Sequence, residues 1–260
     1  MIARSSTGDW LQVQRPEGDS GWVAAMYVES PPGYDLLTVA TVAPPPLGEG
    51  VLITHGDRSK PMVALTFDAC QSKESVAGYD VAIIRTLTET NTAATLFLGG
   101  LWAESHPEET RLLAQVPYFE LGNHSYSHPD FAAIPPEVMT EEITLTQEII
   151  YELTGRWPTL FRLPFGTYTQ EALDVIAGQG LRIIQWDAVT GDPDPNISAE
   201  DIIRAVETQA RNGSIIIMHM NERGWHTAEA LPTVIEKLRN KKFQLVTVSE
   251  LLAASEGEQP

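Results

Sequence analysis

From about residue 51 onward, strand-length apolar runs alternate with helix-length amphipathic segments, and this alternation constrains the fold more than any other feature of the chain. Seven runs read as strands: VALTF (63–67), ATLFL (94–98), YFELGN (118–123), TLFRLP (159–164), LRIIQW (181–186), SIIIMHM (214–220) and FQLVTV (243–248). The segments between them, such as VAIIRTLTE (81–89), PEVMTEEITLTQEIIYELTG (136–155) and SAEDIIRAVETQARNG (198–213), have helical spacing. Helix signals agree: Ser198 with Asp201 reads as a variant capping box, and Gly155, Gly180 and Gly213 stand at expected helix ends. Strands regularly followed by helices predict an α/β fold, a distorted (β/α) barrel of about seven parallel strands over residues 51–254, with a short tail at 255–260.

Ahead of this region the pattern differs. Residues 8–29 alternate apolar and polar positions around the polar turn RPEGDSG, as short β-strands do. Trp10 with Val13, Gly21-Trp22-Val23 and Tyr27-Val28 resemble the second half of a bacterial Src-homology-type β-barrel of the kind attached to cell-wall enzymes. We therefore expect a partial wall-binding β segment over 1–30, or alternatively a hairpin packed on the main domain. SPPGY (30–34) and APPPLGEG (43–50) make 31–50 a stiff Pro-rich linker.

Composition narrows the partners. A formal net charge of −18 argues against nucleic acid or an anionic membrane surface as the main partner. No apolar run approaches the roughly 20 residues that span a bilayer. The single cysteine, Cys70, permits no intramolecular disulfide and leaves the redox compartment open.

A barrel gathers its chemistry at the C-terminal ends of its strands. The polar residues at those ends are Asp68, His124 and His128, Arg162, Asp187 and Asp192, and His219, from separate strands that a barrel brings to one mouth. In GNHSYSHPDF (122–131) the two histidines stand four residues apart, the spacing that on a helical turn points two imidazoles at one metal. A carboxylate would complete a site with open positions for water and substrate, and Asp68 is the available one. Trp186, Trp225, Met218 and Met220 read as core or rim packing before sugar stacking.

Together these segments resemble the polysaccharide deacetylases, the NodB homology domain of carbohydrate esterase family four. The family's TFDD is matched in part by Thr66-Phe67-Asp68-Ala69, and its H-S/T-x-x-H fully by His124-Ser125-Tyr126-Ser127-His128. Its R-x-P motif is matched by Arg162-Leu163-Pro164-Phe165-Gly166 and its L-x-H by Ile217-Met218-His219. The D-x-x-D-W motif is partly present in WDAVTGDP, where Asp192 takes the place of the last Asp and Pro193 that of the Trp.

The resemblance implies a metal-dependent hydrolase removing N-acetyl groups from a cell-wall or chitin-like polymer of N-acetylglucosamine. The metal would be zinc, with cobalt, nickel or manganese as alternatives, held by His124, His128 and Asp68. It further implies a base in Asp68, an acid in His219 tuned by Asp192, an Arg162 that orients Asp68, and a backbone N–H near Tyr168 for the oxyanion. The substrate and the wall-targeting look of the N-terminus imply an extracytoplasmic life, with an export signal upstream of this sequence. One departure matters: the second Asp of the first motif, a metal ligand in the family, is Ala69 here. Asp68 itself, Cys70 or Asp80 could fill that place, Asp80 being equally explained as a helix N-cap. A silent wall-binding protein and an O-acetyl esterase acting on acetylated xylan are the rival functions.

Overall fold

The structure, a computed structural model, describes residues 3–4, 10–14, 20–24 and 50–256. At the N-terminus β1 (Ala3–Arg4), β2 (Trp10–Gln14) and β3 (Ser20–Ala24) form an antiparallel unit with Val13 opposite Gly21 and Gln12 opposite Trp22. Strands β2 and β3 fall within the 8–29 segment whose alternation predicts strands, β1 lies ahead of it, and the three do not by themselves show a wall-binding module. The turn at 15–19, the Pro-rich stretch 31–49 and the tail residues 257–260 lie outside the described residues.

The remainder is built on nine strands: β4 (Leu52–Ile53), β5 (Met62–Ala69), β6 (Ala94–Leu98), β7 (Phe119–Asn123), β8 (Leu160–Phe161), β9 (Arg182–Ile184), β10 (Ala188–Val189), β11 (Ser214–His219) and β12 (Gln244–Val246). All pair in parallel, in the order β10-β11-β5-β6-β7-β8-β9-β4, with β12 beside the first half of β5. The seven predicted strands are present: β5 runs longer than expected, β6 keeps its expected bounds, and the other five have trimmed ends. Strands β4 and β10, each of two residues, were not among them.

The sheet curls into a distorted barrel. Gly56 N–H donates to the Gly213 carbonyl at 2.8 Å and His55 bridges Ser214, so the segment after β4 reaches the strand start of β11. Gly213 is therefore not the helix end expected of it: α6 (Ala199–Gln209) stops at Ala210, and Gly213 sits at φ 76° with a would-be Cβ 2.7 Å from the Gly56 and Asp57 carbonyls. Only glycine fits there.

Helices cover the outside: α1 (Val81–Glu89), α2 (Gly100–Ser105), α3 (Pro107–Gln115), α4 (Pro136–Thr154), α5 (Gln170–Gly178), α6, α7 (Thr227–Asn240) and α8 (Val248–Glu256). The Ser198–Asp201 capping box opens α6, and Gly155 at φ 70° closes α4. Among the described residues no helix is long and apolar enough to cross a membrane.

Strand β5 shows how the sequence divides its two faces. Val63, Leu65, Phe67 and Ala69 pack outward with Ile83 and Leu87 of α1 and Val234 of α7. Ala64 faces inward with Phe97, Leu160, Ile184 and Ile215. Helix α8 seals the inward cluster with Val248, Leu251 and Leu252, and Val248 N–H donates to Thr95 Oγ1 at 2.8 Å. Because α8 closes that end, the inward polar residues Thr66 and Asp68 point to the opposite mouth.

Candidate active site

The base of the site is a buried ion pair. Arg162, at the end of β8, is fully buried; its Nη1 donates to Asp68 Oδ1 at 2.7 Å and to Thr66 Oγ1 at 2.8 Å. Its guanidinium lies 4.0 Å from the Phe97 ring centroid, so the walls that desolvate the charge also favour it. Burial acts to raise the Asp68 pKa, but Arg162 and then His124 and His219 outweigh it, holding the carboxyl below its usual range. The ordering role the resemblance gave Arg162 has this geometric counterpart.

His124 and His128 do not share a helical turn, as their spacing suggested. They stand on the loop after β7, where Ser125 at φ 64° and His128 at φ 60° bend the chain so the two rings meet edge-on, 5.0 Å between centroids. Polar contacts to α4 lock this bend. Asn123 donates to the Ile143 carbonyl at 3.0 Å and accepts from Ser125 N–H at 2.9 Å, while Glu142 accepts from Ser127 N–H at 2.7 Å and Ser127 Oγ at 2.6 Å. Asn123 and Glu142 are functional supports that sequence reasoning missed; the one signal was a carboxylate on an otherwise inward-facing helix position.

His124 Nδ1 lies 2.9 Å from the Arg162 carbonyl. A carbonyl only accepts, so Nδ1 carries the proton and the Nε2 lone pair turns into the cavity, 3.7 Å from Asp68 Oδ2. Burial lowers the pKa of His124 and, helped by neighbouring His124, drives His128 down to about 3. Both rings are thus neutral and open as donors to a cation.

Beside Asp68, on the neighbouring strand, His219 is its direct partner in the β5–β11 ladder. Asp192, 1% exposed, binds His219 twice, Oδ2 accepting from its backbone N–H at 2.7 Å and Oδ1 lying 3.0 Å from Nδ1. Thr190 and Thr227 hydroxyls also donate to Asp192, at 3.0 and 2.7 Å. Burial works to lower the His219 pKa, yet the hydrogen bond and charge of Asp192 prevail and the group is raised.

Other expectations sort themselves by position. Asp187 faces away from the mouth, accepting from Arg58 at 2.6 Å and from Ile215 N–H at 3.0 Å. Asp80 caps α1, accepting from the Ala82 and Ile83 N–H groups at 3.1 and 3.4 Å. Tyr168 is half-exposed and does not line the cavity; Phe165, at φ 58° and stacked edge-on to His128, does. Met218 and Met220 are core, and Trp225 is exposed.

The cavity has a volume of about 310 Å³ and is lined by Asp68, Cys70, His124, His128, Asp192 and His219, with an apolar wall that includes Phe165, Trp186 and Ile217. Arg223, which the sequence did not single out, also reaches it. Among the described residues, Cys70, His124 and His128 are the trio whose donor atoms all lie within 4.8 Å of one another. Two neutral imidazoles beside the Asp68 carboxylate and the Cys70 sulfur fit a divalent cation.

Comparison with known proteins places this arrangement. The family model for polysaccharide deacetylase matches residues 55–184. A peptidoglycan-N-acetylglucosamine deacetylase of Bacillus cereus is 31% identical over 202 residues, 77% of this chain and 71% of the relative. The chain belongs to the polysaccharide deacetylase family. Named relatives such as the Bacillus cereus protein are peptidoglycan deacetylases. YlxY of Bacillus subtilis, 29% identical, aligns with 77% of this chain, which spans only 60% of that relative's length. In fold it matches a CE4 family pseudoenzyme of Bacillus anthracis with a TM-score of 0.70 and 25% identity, over 78% of this chain and 69% of the other. A mutant of that pseudoenzyme is described as having restored enzymatic activity. Ala69, at the place of the motif's second Asp, has its methyl fully buried in the outward cluster and ligates nothing.

Proposed function

We propose that the protein hydrolyses N-acetyl groups on a cell-wall or chitin-like polymer of N-acetylglucosamine, outside the cytoplasm. The observation that carries this reading is the pairing of Asp68, clamped by Arg162, with His219, clamped by Asp192, at one cavity that also receives His124 and His128. His124 and His128 would hold the cation, with Asp68 beside them. When bound, the cation supplies Lewis-acid polarisation of the acetyl carbonyl and acidifies the attacking water.

The chain's own groups do the rest. Arg162 fixes Oδ1 of Asp68 and leaves Oδ2 toward the cavity, where it accepts a proton from the attacking water. Asp192 occupies His219 Nδ1, so Nε2 is the atom presented to substrate. It gives its proton to the amine nitrogen as the carbon–nitrogen bond breaks, releasing acetate. A raised His219 pKa keeps that proton available near neutral pH. Phe165 and Trp186 offer apolar faces to a sugar ring. The N-terminal β segment would hold the protein to the wall.

The test is acetate release from N-acetylglucosamine oligomers by chelated protein, repeated after adding zinc, cobalt, nickel or manganese. Metal-restored release that disappears in His124→Ala supports the reading. Greater release from acetylated xylan would move the substrate to O-acetyl esters. A second reading, a silent wall-binding protein, is favoured by Ala69 and by the likeness to a pseudoenzyme. Tight glycan binding without release under any of these cations would establish it.

A further inference from the structure

The substitution that removes one family ligand is followed at once by another donor. Cys70 lies just past the end of β5, where the parity of the strand turns it to the same side as Asp68 rather than to the outward cluster that takes Ala69. Its Sγ falls within 4.8 Å of the imidazole donors of both histidines. We propose that the Cys70 thiolate replaces the missing carboxylate and completes, with His124 and His128, a cysteine–histidine–histidine cation site. This deepens the proposed function and rests on it.

Two further observations point the same way. Asn221, 1% exposed, donates through Nδ2 to the Cys70 carbonyl at 2.6 Å and to Cys70 Sγ at 3.3 Å. Since a carbonyl only accepts, the amide atom facing it is nitrogen, and the same N–H group is presented to sulfur. Burial and the Asp68 charge push the Cys70 thiol up to about 11; the N–H aimed at sulfur works against that rise, as outer partners of metal ligands do, and a bound cation would displace the thiol proton. His124 has its own outer partner in the Arg162 carbonyl, so two of the three donors are oriented from behind.

The second observation is what the arrangement leaves to Asp68. Its Oδ1 is committed to Arg162 and it stands outside the trio. With sulfur as third donor, Asp68 need not serve as both ligand and base, and its Oδ2 remains for proton transfer. A thiolate also narrows the choice of ion: soft sulfur beside imidazole suits zinc and cobalt over magnesium or manganese.

The experiment is cobalt titration of the metal-free protein read by absorbance, with X-ray absorption on the zinc form. The expected result is a thiolate-to-cobalt charge-transfer band and a zinc–sulfur distance of about 2.3 Å. Cys70→Ser should lose the band and bind zinc more than about tenfold more weakly, circular dichroism confirming its fold. Should Cys70→Ser fail to fold, Asn221→Ser serves, with a loss of affinity of about 10–100-fold and a shifted band. A zinc site with only nitrogen and oxygen neighbours, or a folded wild type that binds neither ion, overturns the proposal. Acetate release separates the two readings: a sulfur-bound ion without release defeats the deacetylase alone, and release from a site lacking sulfur defeats the thiolate alone.

Discussion

Replacing Arg162 by Met tests the ion pair at the heart of the barrel. The substitution keeps most of the side-chain volume and removes the donor that Asp68 Oδ1 meets at 2.7 Å, the donor to Thr66 at 2.8 Å, and the cation over Phe97 at 4.0 Å. Asp68, only 2% exposed, is left as a buried charge without its partner. Breaking such a pair costs about 3–5 kcal/mol, against a total stability of about 5–15 kcal/mol for a typical domain. For a chain of this size each kcal/mol lowers Tm by roughly 2–4 °C.

The pH dependence gives the sharper signature. In the wild type the Asp68 pKa is depressed, so its contribution is present above the unfolded carboxyl value of about 3.9 and lost as pH falls through the folded value. Without Arg162, burial dominates and pushes the carboxyl up. The variant is then relieved below that raised pKa, where Asp68 takes a proton, and penalised as pH rises through it. The deficit between the two proteins should therefore be largest near neutrality and shrink toward acid. Urea unfolding at several pH values measures it, and the double variant Asp68→Leu/Arg162→Met should be more stable than Arg162→Met alone. A deficit below about 1 kcal/mol, or one that does not vary with pH, would refute the reasoning.

Two more outcomes follow from the site. Asp192→Asn should lower kcat by about 10²–10⁴-fold and move the basic limb of the pH–rate profile to lower pH, because His219 loses the charge that raises it. In the same variant the stability lost relative to wild type should be greatest below the unfolded histidine value of about 6.5 and fade as pH rises through the folded value, readable by urea unfolding. Asp80→Ala should cost about 1 kcal/mol as a lost N-cap and leave zinc affinity unchanged in a competition titration; weaker zinc binding would return Asp80 to the list of ligands.

What the sequence determined by itself follows from its periodicities. Strand-length runs such as VALTF and SIIIMHM are apolar on both faces along most of their length because both sheet faces are covered, and amphipathic segments such as 81–89 have one buried face, so both are local signals. From them the parallel barrel and the gathering of Asp68, His124, Arg162, Asp192 and His219 at one mouth could be read. Strands β4 and β10 were not read; each is a two-residue pairing, with β9 and β11 respectively. The histidine pair is a sharper case: their spacing suggested a helical turn, but Asn123 and Glu142 hold a left-handed bend that no residue spacing encodes. Cys70 was one of three open substitutes for the lost ligand. Only tertiary structure brought the sulfur beside both imidazoles and left Asp80 away from them on its helix start, because donors from separate segments acquire their distances only when the sheet closes around them.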